Sequence, residues 1–198
     1  MPLAAKHTQF KVAALSGKSI FLTGKAGTGK SFIVREVMDA LSAMDKKFIA
    51  VAPTGIAANN INGQTIHSLF KLPPFGVQTF ETCNFLNKSA KEVLKRAEVV
   101  IIDEVSMLRP DVLDAMHFTL RKSGLPGLET KQIIFIGDLK QLPPILDDNA
   151  RSVLFQTYDG ETFPFAHIFK KLNCEKIELD EVLRQTNEEF INALNKIR

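Results

Sequence analysis

The stretch Ile20–Ser31 reads IFLTGKAGTGKS, and its reading decides the fold. Ile20, Phe21, Leu22 and Thr23 form an apolar, β-branched and aromatic run of the kind found in buried strands. The run stops at Gly24, which opens the pattern G-x-x-x-x-G-K-S of a phosphate-binding loop. Gly24, Gly27 and Gly29 let the main chain turn its N–H groups inward with no Cβ in the way, making a nest for an anion. Ala26, Thr28 and Phe32 complete that cradle through their main chain. Lys30 adds a point charge for the β and γ phosphates, and the Ser31 hydroxyl suits Mg²⁺. A helix should follow, with its positive N-terminal end toward the phosphates. Ile33, Val37, Leu41 and Met44 fall on one face of it, and Arg35, Glu36 and Asp39 on the other.

Outward from this loop, five short apolar runs read as strands: 19–23, 48–53, 99–103, 133–137 and 176–179. Helical or irregular stretches separate them, the alternation that gives an α/β fold with a mainly parallel sheet of about five strands covered on both faces. Ligands on such sheets bind beyond the carboxyl ends of the strands. A short helix over 10–15 precedes the loop, with Gln9 at its start. Ser89 with Glu92 is a capping box for a helix over 89–97. Asp111 after Pro110 caps a helix through Arg121 with Leu113, Met116 and Leu120 inward, ended by Gly124 and Pro126. A last helix is expected over 187–197. Residues 72–88 and 146–164 have no clear period and read as long surface excursions.

The 198 residues suffice for one well-buried domain. No run of about 18 apolar residues is present to span a membrane, and MPLAAKHTQF lacks a signal-peptide layout, so an intracellular, cytoplasmic protein is expected. Cys83 and Cys174 are too few and too far apart for a disulfide framework or a zinc site. A net charge of +3 permits nucleic acid as a partner only through a local patch.

Four further constellations carry chemistry. Val99–Glu104 is a hydrophobic strand ending in paired carboxylates, which lets Asp103 hold Mg²⁺ while Glu104 accepts a proton from an attacking water. Such an acceptor separates hydrolases from kinases, whose phosphate is attacked by another group. In IGDLKQLPP (136–144), Gln141 offers one donor and one acceptor, suited to orienting a water against a γ-phosphate; a plain proline-ended turn is the competing reading. APTGIAA (52–58) and GQTIHS (63–68) are small, polar loops that admit a nucleic-acid backbone, although simple turn chemistry would also explain them. Arg184, after the last strand, is either an internal arginine finger or an ordinary ion-paired arginine.

In this order, GKAGTGKS, APTGIAA, TIHSLF, IIDEVSML, GDLKQLPP and LDEVLRQTNEEFINALNKIR resemble the Pif-one family of superfamily-one 5′-to-3′ DNA helicases over nearly the whole chain. RecD-type helicases share most of these motifs, but Ile56 and the QLPP of 141–144 are more Pif-like. The resemblance implies a RecA-like P-loop domain, a three-layer sandwich spanning residues 1–198, with the strand ending at Gly137 beside the one feeding Gly24. It implies ATP and Mg²⁺ at Lys30, Ser31 and Asp103, with Glu104 as general base, Gln141 as γ-phosphate sensor and Arg184 in contact with that phosphate. Thr54, Gly55, Thr65, His67 and Ser68 would touch single-stranded DNA, Gln9 would read adenine, and residues 71–88 would form a small wedge at the DNA fork. The family's second RecA-like domain is absent from these 198 residues. A monomeric first motor domain is therefore expected, binding nucleotide, hydrolysing it slowly and not unwinding. The setting would be DNA repair, recombination or telomere maintenance, in the bacterial cytosol, or in a eukaryotic nucleus or mitochondrion. A stand-alone nucleoside triphosphatase and a non-catalytic nucleic-acid-binding module are the competing readings.

Overall fold

A strand with no polar face must be covered on both sides. The computed structural model, which describes residues 5–180, meets that demand. Its strands in chain order are β1 (Ile20–Gly24), β2 (Phe48–Ala52), β3 (Gln64–Thr65), β4 (Val99–Ile102), β5 (Gln132–Ile136) and β6 (Glu175–Leu179). They lie side by side as β3-β2-β4-β5-β1-β6. Every pair is parallel, so the expectation of a mainly parallel sheet of about five strands becomes one of six, all parallel. The sixth, β3, is only two residues long and lies beside Val51 and Ala52. Two residues are too few for any apolar alternation to announce.

The two-residue period sorts the core into two layers. Ile20 and Leu22, Val99 and Ile101, and Ile134 and Ile136 point to one face, where α1 (Ala5–Leu15) and α2 (Lys30–Ala43) cover them with Phe10, Ala14, Ile33, Val37 and Leu41. Phe21, Val100, Ile102, Ile133 and Phe135 point to the other. There they meet α4 (Ile66–Phe70), α5 (Lys88–Arg96) and α6 (Pro110–Lys122), and the Phe163 ring stacks 4.7 Å from Phe135 and edge-on to Phe21. The short α3 (Gly55–Asn60) follows β2. On α6, Asp114 is buried and accepts hydrogen bonds from Tyr158 Oη, the His167 and Ile168 amides and His167 Nδ1, tying the helix to the segment before β6. This four-donor shell is what keeps a buried carboxylate tolerable.

Several local expectations are corrected. The first helix begins at Ala5 rather than Phe10, which puts Gln9 in its middle. Met44 is half exposed, and Val34 takes the inner position instead, because α2 ends at Ala43. α5 is capped by Asn87, whose side chain accepts from the Ala90 amide, rather than by a Ser89–Glu92 box. Arg109 stands at the N-cap of α6, while Asp111 is fully buried and accepts from the Gln78 amide and the Arg109 guanidinium. Within 146–164, Asp147 caps a further helix, α7 (Asp148–Thr157), that the mixed polarity concealed. Residues 72–87 are irregular as expected. The helix over 187–197 and Arg184 lie outside the described residues.

Cys83 and Cys174 are free thiols. No helix among the described residues is long and apolar enough to cross a membrane. Because all six strands run the same way, Gly24, Ala52, Thr65, Ile102, Ile136 and Leu179 end along a single edge of the sheet.

Candidate active site

The phosphate loop leaves that edge at Gly24. A Cβ there would stand 2.6 Å from the Leu179 carbonyl oxygen and 2.9 Å from Thr28 Oγ1, so only hydrogen fits. Gly27 and Gly29 adopt left-handed φ of 80° and 81°, which glycine reaches without a steric cost. Thr28 is buried, and its hydroxyl donates to the Lys25 carbonyl at 2.8 Å, closing the loop on itself. The Lys30 ammonium folds over the mouth and donates to the Gly24 carbonyl and, at 3.1 Å, to that of Lys25. In the first turn of α2 the N–H groups of Lys30, Ser31 and Phe32 have no acceptor within the helix. Phe32 is 53% exposed, so its amide rather than its ring belongs to the cradle. Ala26 and Ser31 are exposed at the same mouth.

Beside the loop strand, β5 separates β1 from β4, and the carboxylates follow β4. Asp103 accepts from the Glu104 amide at 2.9 Å. Burial pushes its carboxyl above the ordinary range; that hydrogen bond works against the shift, the Glu104 charge adds to it, and the Lys30 ammonium opposes it. Glu104 is exposed and sits in the left-handed region at φ 52°, ψ 46°, a conformation that costs a non-glycine residue about 1–2 kcal/mol. Gly137, at the exit of β5, lies under the next residue: a Cβ there would come 2.9 Å from the Val105 amide nitrogen. The two strand exits therefore touch, and a cleft of about 670 Å³ opens between them, lined by Glu104, Ser106, Met107, Lys140, Gln141, Leu142 and Pro143. Gln141 is exposed, and its turn is set by its own amide on the Asp138 carbonyl. A hollow of about 610 Å³ at the opposite edge, around Lys18, Lys131 and Glu175, holds none of the motif residues.

The raised Asp103 carboxyl has a consequence for stability. A carboxylate whose folded-state pKa lies above its unfolded value is held charged at a cost once both states are ionised, and that cost is relieved as pH falls through the folded pKa. Without nucleotide, Asp103→Asn is therefore expected to raise the urea midpoint at pH 7 with an unchanged m-value, and the gain should shrink as pH is lowered into the carboxylate range. A lower midpoint would mean that attraction to Lys30 outweighs burial.

Thr54 and Thr65 close two loops along the edge. Each is an N-cap: Thr54 Oγ1 accepts from the Ala57 amide at 3.3 Å and Thr65 Oγ1 from the Ser68 amide at 3.2 Å. Gly55 and Ser68 are exposed and His67 is half-buried. Burial, chiefly, and then the Arg109 charge hold the His67 imidazole below its usual range, with Asp111 opposing; at neutral pH it is a neutral donor and acceptor. Gln9 stands elsewhere. Its amide reaches Glu175 at 3.5 Å, and Glu175 pairs with Ile20 at the amino ends of the strands, away from the loop. The residue of α1 that does touch the loop is His7, buried, with Nε2 2.9 Å from the Thr28 carbonyl oxygen. The inward spacing of His7, Phe10 and Ala14 was the signal that could have found it.

Set beside known proteins, residues 5–198 match the model of the PIF1-like helicases. The ATP-dependent DNA helicase Pif1 of Campylobacter jejuni is 32% identical over 194 residues, covering 93% of this chain and 41% of its own length. A solved Pif1 from a study of DNA unwinding at forked dsDNA by two coordinating Pif1 helicases superposes with a TM-score of 0.85 at 37% identity, over the whole of this chain and 48% of its own. A Bacteroides Pif1 helicase crystallised with ADP-AlF3 and ssDNA gives 0.84 at 38% identity, over the whole chain and 46% of its own. This chain thus spans less than half the length of each. With the phosphate loop, the paired carboxylates and the Gln141 turn on one sheet edge, and a family match from residue 5 onward, the chain belongs to the PIF1-like helicase family.

Proposed function

We propose that this chain is the ATP-binding motor domain of an ATP-dependent DNA helicase, in which ATP hydrolysis drives 5′-to-3′ movement along single-stranded DNA. The observation that carries this reading is the convergence on one sheet edge of the phosphate loop, the paired carboxylates Asp103 and Glu104, and Gln141, which shares a cleft with Glu104. The main-chain amides from Gly27 to Phe32 hold the β-phosphate, and Lys30 exchanges its loop carbonyls for phosphate oxygens, a charge-assisted bond replacing neutral ones. Ser31 and Asp103 are hard oxygen donors, and no group of three or more His, Cys, Asp or Glu side chains that could hold a metal ion occurs among the described residues. That sparse donor set fits Mg²⁺, which takes one or two protein oxygens together with nucleotide phosphates. When bound, the ion neutralises charge developing on the phosphoryl oxygens. Glu104, exposed at the cleft, accepts the proton of the attacking water, and Gln141 orients that water. Arg184 would approach the same phosphate as a finger.

The loops at Thr54–Gly55 and Thr65–Ser68 take the DNA strand. Their cap hydrogen bonds leave small, rigid, uncharged surfaces against which a sugar–phosphate backbone can lie. The Bacteroides relative crystallised with ADP-AlF3 and ssDNA supports both ligands for this fold. The irregular segment 72–87, with Phe75 and Phe85 largely exposed, supports a wedge at the fork. The test is Mg²⁺-dependent phosphate release from ATP with and without single-stranded DNA. Release that DNA accelerates is expected. Turnover indifferent to DNA would sink the motor reading, and absence of nucleotide binding would sink the site itself.

A further inference from the structure

We propose that His7 is a positioning residue of the phosphate loop, holding the Thr28–Gly29 peptide so that the Gly29 amide faces the anion. This rests on the nucleotide-site reading above and goes beyond it to a residue that no motif covers. His7 is 1% exposed on the inner face of α1, among Phe10, Ala13 and Ala14. Its Nε2 lies 2.9 Å from the Thr28 carbonyl oxygen, a separation of 21 residues, and a carbonyl can only accept, so Nε2 carries the proton and donates. The other ring nitrogen, Nδ1, is buried with no partner among the described residues. A buried unpartnered nitrogen is unfavourable, and leucine or phenylalanine would fill the same space without it. The one hydrogen bond that the imidazole makes among the described residues is to the phosphate loop.

That bond acts on one peptide plane. In a trans peptide the carbonyl of one residue and the N–H of the next point in opposite directions. Drawing the Thr28 oxygen toward α1 therefore turns the Gly29 N–H toward the mouth of the loop. Gly29 is the pivot at which the loop becomes α2, with φ 81° and ψ 19° and no side-chain cap. Thr28 is fixed from its other side by its own hydroxyl on the Lys25 carbonyl. With both groups in place the peptide has one orientation before any anion arrives, and the cost of ordering it falls outside the binding step. Gln9, two positions along the same helix, faces Glu175 and takes no part.

The probe is inorganic tripolyphosphate beside ATP, because tripolyphosphate reads the loop and nothing of the base. Calorimetric titration of His7→Leu should give about tenfold weaker binding of both, the value of one lost hydrogen bond. His7→Gln, whose amide can still donate to the Thr28 carbonyl, should recover most of the affinity; thermal melts establish that both variants are folded. In wild-type chain, the Gly29 amide resonance should shift strongly downfield on adding tripolyphosphate. Tripolyphosphate affinity unchanged in His7→Leu, or equally lost in a folded His7→Gln, would overturn the proposal. So would a Gly29 amide that stays put in the wild type, a result that does not require any variant to fold. Wild-type chain that binds neither ligand, while melting cooperatively, would instead refute the phosphate-loop assignment on which the proposal stands.

Discussion

Lys30→Ala should weaken ATP binding by about 100-fold or more, while lowering the thermal midpoint by only about 2–4 °C. The two effects separate because of what Lys30 does in the free protein. Its ammonium donates to the Gly24 and Lys25 carbonyls at the loop mouth; Lys25 is exposed, so water can take over that bond once the side chain is cut back, and the loss is confined to the bond to buried Gly24, about 1 kcal/mol. With nucleotide present, the same ammonium makes charge-assisted bonds that no neighbour can supply. Titration with ATP, with and without Mg²⁺, tests this: the variant should lose affinity even without the metal, because the lost bonds run to the phosphate oxygens. Affinity equal to wild type in either condition would refute the loop assignment.

The parts of this site that the sequence announced share a physical property: their chemistry is local. A phosphate nest needs glycines at fixed spacing, and Gly24, Gly27 and Gly29 are legible because no other residue does that work at positive φ. The strands were legible because β1, β4 and β5 are buried on both faces and read as apolar runs. What escaped depends on contacts between distant segments. Asp111 looks like an N-cap from its neighbours, and the Gln78 amide, brought in by the loop before α5, joins the Arg109 guanidinium in making it a buried acceptor. β3 exists because Gln64 and Thr65 run beside Val51 and Ala52, not through any pattern of their own. α7 is amphipathic too weakly to be seen, with Leu154 its single buried side chain. Gln9 and His7 illustrate the same limit. Two positions on one helix differ by about 200° in facing, and the spacing that His7 shares with Phe10 and Ala14 is the one sign in the sequence of which meets the loop, a sign that the packing of α1 on α2 makes good.

Glu104→Gln is expected to reduce the single-turnover rate of ATP hydrolysis by about 10²–10⁴-fold and to leave ATP affinity within about twofold of wild type. The amide keeps the size and reach of the carboxylate, and the Glu104 main-chain bond to Asp103 does not involve the side chain, so loop and metal ligand stay where they are. Only the proton acceptor is lost. The backbone makes the assignment sharper. Glu104 is held at φ 52° between the end of β4 and the turn at Val105–Met107, with Gly137 leaving room beneath Val105. Glycine would relax that conformation, so Glu104→Gly should stabilise the free chain by about 1 kcal/mol in urea while losing hydrolysis as fully as Glu104→Gln. A residue that costs stability where glycine would relieve it, and whose loss removes turnover but not binding, is kept for its carboxylate. Phosphate release from pre-bound ATP, measured in Mg²⁺ and single-stranded DNA, decides the matter. If Glu104→Gln turns over at the wild-type rate, the proton goes to another group in the cleft and Glu104 holds its left-handed turn for a reason unconnected with hydrolysis.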